Sequence, residues 1–341
     1  MKASLHRPGS AFTLVELVVA MSVLFVLMVI LVQLTNGTSR IWSQTTGNIE
    51  QFKEARDAFE SMTRRLSQAT LNTYWDYHYP NNDKTKPADA YQRQSELRFI
   101  TGDAQALAGL KYPAGHAVFF QAPLGFTATT TYVHMQNLLN TWGFFIDFGS
   151  DQDMRPGFLG PKIPLRYRFR LYELMEPSES LSLYKYSSGN PSYAGKEWFT
   201  DPLKLTPATS RPTRALAENI IALILLPKLS PQEDVTETRL APQYSYDSTA
   251  ANSDPTINPK NQLPPVIQLT VVAVDEATFG RIQAGAVPPD FGLTGLFAKA
   301  ENYHQDLATL EATLQRQKLN YRVFSTNVSI RGAKWSREQK N

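Results

Sequence analysis

The stretch that decides the fold runs from Phe12 to Leu34 and reads FTLVELVVAMSVLFVLMVILVQL. It contains no glycine and no proline, and its single ionisable residue is Glu16. At about 1.5 Å per residue, such a stretch forms a continuous helix of roughly 34 Å. That length covers the hydrocarbon core of a bilayer, so the pattern predicts a transmembrane helix over residues 12–34. A carboxylate inside such a helix needs a partner or an interfacial position, which marks Glu16 as a functional candidate.

Residues 1–11, which precede this stretch, form a short basic leader. The leader carries Lys2 and Arg7 and no acidic residue. By the positive-inside rule, these cations keep the N-terminus in the cytoplasm and direct the rest of the chain outward. The small residues Gly9 to Ala11 lie before the apolar run, whereas a secretory signal peptide has its cleavage site after it. The sequence therefore predicts a single-pass inner-membrane protein with a periplasmic head.

With this leader, the string Phe-Thr-Leu-Val-Glu at Phe12 to Glu16 resembles the N-terminal cleavage and methylation motif of type IV prepilins and type II secretion pseudopilins. The resemblance implies that a prepilin peptidase cuts between Ala11 and Phe12 and methylates the new amine of Phe12. It also implies that Glu16 neutralises the N-terminal amine of a neighbouring subunit during assembly. The residue before the cut is usually glycine in that family, and here it is Ala11.

The same resemblance implies a set of partners. They are the prepilin peptidase, other pilin-like subunits, an assembly platform with its ATPase, and membrane lipid, and the protein is expected in a pilus after assembly. A second resemblance covers the C-terminal segment from Asn320 to Trp335, NYRVFSTNVSIRGAKW. This segment and the large head are similar to the Verru_Chthon cassette proteins, a prepilin-type family of verrucomicrobial bacteria, and most like its member C.

Beyond the apolar run, residues 35–73 continue the helix in amphipathic form. The segment lacks proline, and its apolar residues recur at three- and four-residue spacing. These residues are Ile41, Trp42, Ile49, Phe52, Phe59, Met62, Leu66 and Ala69. We therefore expect an α+β protein in which a long N-terminal helix, half membrane-spanning and half amphipathic, packs on a large, mainly antiparallel β head of the pilin type.

The head, residues 74–341, shows mainly strand patterns. Short apolar or alternating runs predict strands at Glu96–Ile100, Ala117–Gln121, Gly143–Phe148, Leu165–Leu174, Leu181–Tyr186, Val266–Val274 and Arg322–Ile330. Arg214 to Leu226 is interpreted as a short helix that leads into a buried strand. Residues 227–265 are rich in proline and small polar residues and predict a long surface loop. Helical spacing returns at Tyr303, Leu307, Leu310 and Leu314.

Few residues of the head point to chemistry. The five histidines have no metal-ligand spacing, cysteine is absent, and no nucleophile elbow, P-loop or dinucleotide fingerprint occurs. We therefore predict no enzymatic activity and no cofactor, with one exception. Asp147, Asp151 and Asp153 form a carboxylate cluster that calcium could use, although acidic turns are common without metal.

Two further patterns leave alternatives open. Arg166, Arg168 and Arg170 alternate along one strand face and could grip phosphate or carboxylate groups, but a solvent-facing side of an antiparallel sheet is favoured. The aromatic run from Tyr74 to Tyr79 could stack a ligand, but cover for the seam between helix and head is favoured. The net charge of +3 falls to +1 when Lys2 and Arg7 are removed, so nucleic acid is an improbable partner.

The sequence therefore predicts a non-enzymatic structural subunit of a pilus or secretion pseudopilus. It is expected to be processed by a prepilin peptidase and assembled through its N-terminal helix. Two other classes stay open. One is a signal-anchored periplasmic binding domain that does not polymerise, and the other is a minor pilin whose head binds DNA or a surface ligand.

Overall fold

The computed structural model of the protein describes residues 14–110, 115–156, 158, 163–185, 195–282 and 285–337. Contacts divide the chain into two units, one up to Glu50 and one from Gln51 onward. Helix α1 spans Leu14–Leu66 and contributes residues to both units. The other described helices and strands all belong to the second unit.

α1 ends at Leu66 and does not reach residue 73, where the sequence pattern placed its end. The backbone leaves the helix through a turn in which Ala69 N donates to Leu66 O (3.1 Å). Thr70 then forms an isolated antiparallel bridge with Gln121. Asn72 follows with a φ of 46°, a left-handed conformation that a helix interior does not contain. Pairing with the sheet therefore ends the helix earlier than the apolar spacing indicated.

Within the described residues, the chain has no helix that combines the length and the apolar character needed to cross a membrane. The predictions of a transmembrane helix over 12–34 and of a single-pass inner-membrane protein are therefore wrong. In the first unit, the described side chains of α1 lie between Leu14 and Leu31, and the polar Ser22 is among them. A spanning helix needs about 20 predominantly apolar residues.

The second unit consists of antiparallel sheets with short helices. Its strands are β1 (Tyr74–His78), β2 (Ala90–Gln94), β3 (Phe99–Asp103), β4 (His116–Ala122), β5 (Asn140–Ser150), β6 (Tyr167–Glu176), β7 (Thr213–Glu218), β8 (Ile220–Lys228), β9 (Tyr246–Asp247), β10 (Val266–Val274) and β11 (Tyr321–Ser329). Its further helices are α2 (Ala104–Ala108), α3 (Ser182–Lys185), α4 (Glu197–Lys204), α5 (Glu276–Ile282) and α6 (Tyr303–Arg316).

The described strands form three sheets. The largest has six strands in the order β7-β6-β5-β4-β3-β9, the second has the order β11-β10-β8, and β1 and β2 form a separate hairpin. Every neighbouring pair in these sheets is antiparallel. This topology confirms the prediction of an α+β protein with a mainly antiparallel core.

The core lies between the two larger sheets. Strand β8 of the three-stranded sheet contacts β4, β5 and β6 of the six-stranded sheet. Successive side chains of a strand point to opposite faces, so each strand of the six-stranded sheet has an inner face toward β8 and an outer face away from it. On the outer face, α4 packs through Phe199, whose ring stacks on Phe119 of β4 at 4.0 Å. The six-stranded sheet is therefore covered on both sides.

Three local expectations differ from the structure. The short helix expected at the start of Arg214 to Leu226 is instead β7, whereas the buried strand expected after it is confirmed as β8; the two strands meet at Asn219, where φ is 57°. The expected strand at Leu181–Tyr186 is instead the helix α3. The expected surface loop 227–265 contains β9 and the fully buried Tyr244, so part of it belongs to the core. In each case long-range contacts override the local pattern.

Candidate functional site

The first candidate site is the apolar stretch of α1, which we define as Leu14–Leu31. Its large apolar side chains are exposed, and the exposed fraction reaches 81% for Leu14, 67% for Leu24 and 68% for Phe25. Large contiguous apolar patches on a protein surface mark interaction sites. The predicted assembly residue Glu16 lies in this stretch of α1. Ala11 and Phe12, the predicted cleavage and methylation residues, lie outside the described residues.

The packed stretch of the same helix, Phe52–Leu66, has the opposite character. Met62 and Leu66 are completely buried in the core of the second unit. Next to them, the Arg65 guanidinium forms an ion pair with Glu173 of β6 and lies over the Trp142 ring, 4.4 Å from its centroid. Arg214 Nη2 donates to the other oxygen of Glu173 at 3.0 Å. Burial, followed by repulsion from Arg214 and Arg64, lowers the pKa of Arg65.

Two of the three predicted arginines, Arg168 and Arg170 of β6, are buried, which corrects the solvent-facing interpretation favoured from the sequence. Arg166 directly precedes β6 and is about half exposed. Their guanidinium groups pair with carboxylates that the sequence did not connect to them. Arg168 binds Glu276 through Nε at 2.9 Å, and Arg170 binds Glu218 through Nε at 2.9 Å.

These ion pairs leave the arginines poorly suited to grip a phosphate. Arg166 also pairs with Glu276, at 2.8 Å, and the Asn219 amide donates to the same carboxylate at 2.8 Å. Burial by itself raises the pKa of Glu276, but hydrogen bonds from Arg168 and Asn219 outweigh it and lower the pKa. These donors favour the ionised form of the Glu276 carboxylate. Arg166, Arg168 and Arg170 therefore belong to a structural network of ion pairs.

The three carboxylates predicted as a calcium site, Asp147, Asp151 and Asp153, lie in different local environments. Asp151 accepts hydrogen bonds from Arg166 N at 2.9 Å and pairs with Arg155 at 2.9 Å. Asp153 lies in a 3-10 turn, and Asp147 lies in β5. Across the residues that the structure describes, no three histidine or acidic side chains come together in a group able to hold a metal ion. Asp151 is thus engaged by its arginine and by a backbone amide.

A cleft that the sequence did not reveal lies on the outer face of the six-stranded sheet. We call it the outer cleft, and its volume is about 960 Å³. Its lining includes Phe145 and Asp147 of β5, Tyr172 of β6, Lys204 at the end of α4, Arg211 and Arg214. These residues come from segments far apart in the chain, so no local motif could have indicated the cleft. The volume lies in the range of small-molecule sites.

Asp147 is the unusual group in the outer cleft. Its side chain accepts a hydrogen bond from the neighbouring Phe148 N at 2.9 Å. Burial raises the pKa of Asp147 to about 6, although this hydrogen bond and the positive charge of Arg211 act in the opposite direction. A carboxylate with such a pKa in a cleft is a recognised sign of a functional site.

The aromatic run begins on β1 of the β1–β2 hairpin. Tyr74, Trp75 and Tyr77 are each slightly more than half exposed. The Tyr77 and Tyr91 rings are tilted relative to each other with centroids 5.2 Å apart, and the Arg93 guanidinium lies 5.2 Å from the Trp75 centroid. Trp75 and Tyr77 are separated in the strand by Asp76, which points to the opposite face, so they share one face of the hairpin. That these rings cover the seam between helix and head stays a prediction.

Comparisons with protein-family models, with curated proteins and with solved structures find no match for this chain.

Proposed function

We propose that this protein is a structural subunit of the pilin and pseudopilin class, matured by a prepilin peptidase and assembled through α1 into a pilus or secretion pseudopilus. One observation carries the proposal. The apolar stretch Leu14–Leu31 is helical, and its large side chains are exposed. Such a surface is stable when further helices of the same kind cover it, because packing removes apolar area from water at about 25 cal/mol per Å².

The position of Glu16 supports the same proposal. In the proposed assembly, the carboxylate of Glu16 meets the N-terminal amine of Phe12 in a neighbouring subunit after cleavage behind Ala11. An unpaired carboxylate between apolar helices is costly, whereas one that meets an opposite charge is compensated. The pair would therefore select the register in which subunits associate. A platform protein and an ATPase would supply the work of assembly.

The mature N-terminus tests this proposal directly. We expect intact mass and N-terminal sequencing of the full-length protein, isolated from the cells that produce it naturally, to show a chain that begins at N-methylated Phe12. A chain that retains Met1 to Ala11 would contradict maturation. It would favour the alternative of a binding domain that does not polymerise.

Assembly is tested by replacing Glu16. We expect Glu16→Ala to abolish filaments seen by electron microscopy, because the N-terminal amine loses its counter-charge. The matched control is Ser22→Ala on the same stretch, since the exposed Ser22 hydroxyl donates a local hydrogen bond to Val19 O at 2.8 Å. Wild-type amounts of filament with Glu16→Ala would overturn the proposed role of this carboxylate.

A further inference from the structure

Acidic and basic side chains both line the outer cleft. Asp147 and Tyr172 belong to the strands of the sheet, whereas Lys204 is the last residue of α4 and Arg211 lies in the segment that follows it. The Arg211 Nε donates to the Leu205 carbonyl at 3.0 Å, and this bond holds the guanidinium beside the cleft. Arg214 also lines the cleft, but its guanidinium is tied to Glu173, the neighbour of Tyr172 in β6 that points to the opposite face of the sheet. A ligand in the cleft therefore meets both the acidic Asp147 and the basic Lys204 and Arg211.

The charged neighbours of Asp147 do not neutralise it. Arg170 is its cross-strand partner in β6, yet Arg170 directs its guanidinium to Glu218 and to the carbonyls of Gly149 and Ser150. Arg211 acts on Asp147 through its charge. A carboxylate that is largely buried and accepts its hydrogen bond from a backbone amide gains strongly from a cation brought close to it.

From this arrangement we propose that the outer cleft binds a short peptide with free termini, whose ammonium group contacts Asp147 and whose carboxylate contacts Arg211 and Lys204. The volume of about 960 Å³ admits several residues rather than one amino acid. The Phe145 and Tyr172 rings, stacked 5.7 Å apart, provide a flat wall for the peptide body. This site lies entirely in the second unit and does not depend on the proposed assembly.

Protonation of Asp147 makes the binding dependent on pH. The groups that face or flank it are Arg170 and Tyr172 of β6, Arg211 and Lys204 from the α4 side, and Asp153 from the 3-10 turn. Asp147 has a pKa of about 6, so its ionised fraction is high at pH 7.5 and falls to about one tenth at pH 5. Since the ammonium group of the peptide binds the ionised carboxylate, the affinity for the peptide falls as the ionised fraction of Asp147 falls.

Calorimetric titration of the full-length protein with trialanine tests the proposal. We expect binding at pH 7.5 that weakens about tenfold at pH 5. N-acetyl-trialanine, which lacks the ammonium group, should bind at least tenfold more weakly, and trialanine amide should bind several-fold more weakly. Asp147→Asn should weaken trialanine at least tenfold. Asp76→Asn is the matched control, because Asp76 also accepts a hydrogen bond from the next backbone amide, Tyr77 N at 2.8 Å, but lies on the exposed hairpin.

Several results would overturn the proposal. They are the absence of trialanine binding, equal affinity of the wild type and Asp147→Asn, and binding of a neutral saccharide such as maltotriose in place of the peptide. If circular dichroism shows that Asp147→Asn does not fold, titration of the wild type at pH 5 and 7.5 tests the proposal instead. Equal affinity for trialanine at the two pH values would contradict it. If the protein binds trialanine but forms no filaments, the proposed peptide site stands and only the proposed assembly function fails.

Discussion

Two stretches of one helix differ in almost every physical respect. The apolar stretch of α1, Leu14–Leu31, exposes its large side chains, while the packed stretch, Phe52–Leu66, buries Met62 and Leu66 completely. Most helices in proteins depend on packing of one face rather than on intrinsic propensity. The packed stretch meets that condition within its own unit. The packed stretch therefore stabilises the fold of its own unit, whereas the exposed apolar stretch is the surface on which the proposed association depends.

The largest effect should come from the buried ion pair that joins the packed stretch to β6. We expect Glu173→Ala to destabilise the protein by about 3–5 kcal/mol, because the variant leaves the partly buried Arg65 guanidinium without its partner. The Glu173 side chain is fully buried, so water cannot replace it. Urea denaturation followed by circular dichroism measures the loss.

The control for this variant is Glu301→Ala. Glu301 and Lys299 form an ion pair at 4.0 Å in which both side chains are about two-thirds exposed. Such surface pairs contribute at most about 1 kcal/mol. Equal losses in the two variants would show that the link between Arg65 and Glu173 does not hold the packed stretch in place.

Truncation of one apolar side chain in each stretch gives the next largest effect. Met62→Ala should lower the free energy of unfolding by about 2–5 kcal/mol, because it opens a cavity in the core. Leu24→Ala should change it by less than about 0.5 kcal/mol, because Leu24 is exposed, yet it should reduce filament formation. A strong loss of stability in Leu24→Ala would erase the distinction between the stretches.

The solvent-facing side of the packed stretch should contribute little. Arg56 pairs with Glu60 at 2.9 Å, and both side chains are more than half exposed. We expect Arg56→Ala to cost about 0.3–0.5 kcal/mol, the usual contribution of an exposed helical pair. Chemical denaturation at low and at high salt measures this loss of stability, which should be smaller at high salt because salt screens the ion pair. A cost above that of Met62→Ala would contradict the assignment of buried and exposed faces.

The smallest effect concerns Glu54 and pH. Burial and then repulsion from Glu218 raise the pKa of Glu54. For a carboxyl whose pKa is raised in the folded state, the folded state binds the proton more tightly, so the contribution to stability is present at low pH and is lost as the pH rises through the folded pKa. Glu54→Gln should remove this dependence of stability on pH, which melting temperatures measured over a series of pH values would show. A steeper fall in stability with pH in the variant would contradict it.

Prediction from the sequence succeeded where the signal was periodic and local. Val266–Val274 has the bounds of β10, and the spacing from Tyr303 to Leu314 predicted α6. Prediction failed where a run of residues fits either kind of element. The first part of Arg214 to Leu226, which was expected to be helical, is the strand β7 because β6 offers it a pairing edge. That competition is decided by partners far along the chain.

The candidate sites divide in the same way. The motif from Ala11 to Glu16 is readable because all its residues are consecutive. The outer cleft was not readable, since its lining residues come from segments between Ala108 and Ala215. Even Asp147, which the sequence marked as a calcium ligand, acquires its raised pKa only from burial in the folded chain.

The sequence by itself determined which segments are apolar, where the helical and alternating periods lie, and that the chain holds no cysteine to cross-link it. These properties follow from side-chain chemistry at fixed spacing. Only the tertiary structure decided that Arg168 pairs with Glu276, 108 positions away, and that Asp147 lies in a cleft that Lys204 and Arg211 also line. The reason is physical, because charge pairing and burial depend on distances in space. The order of residues along the chain does not by itself specify those distances.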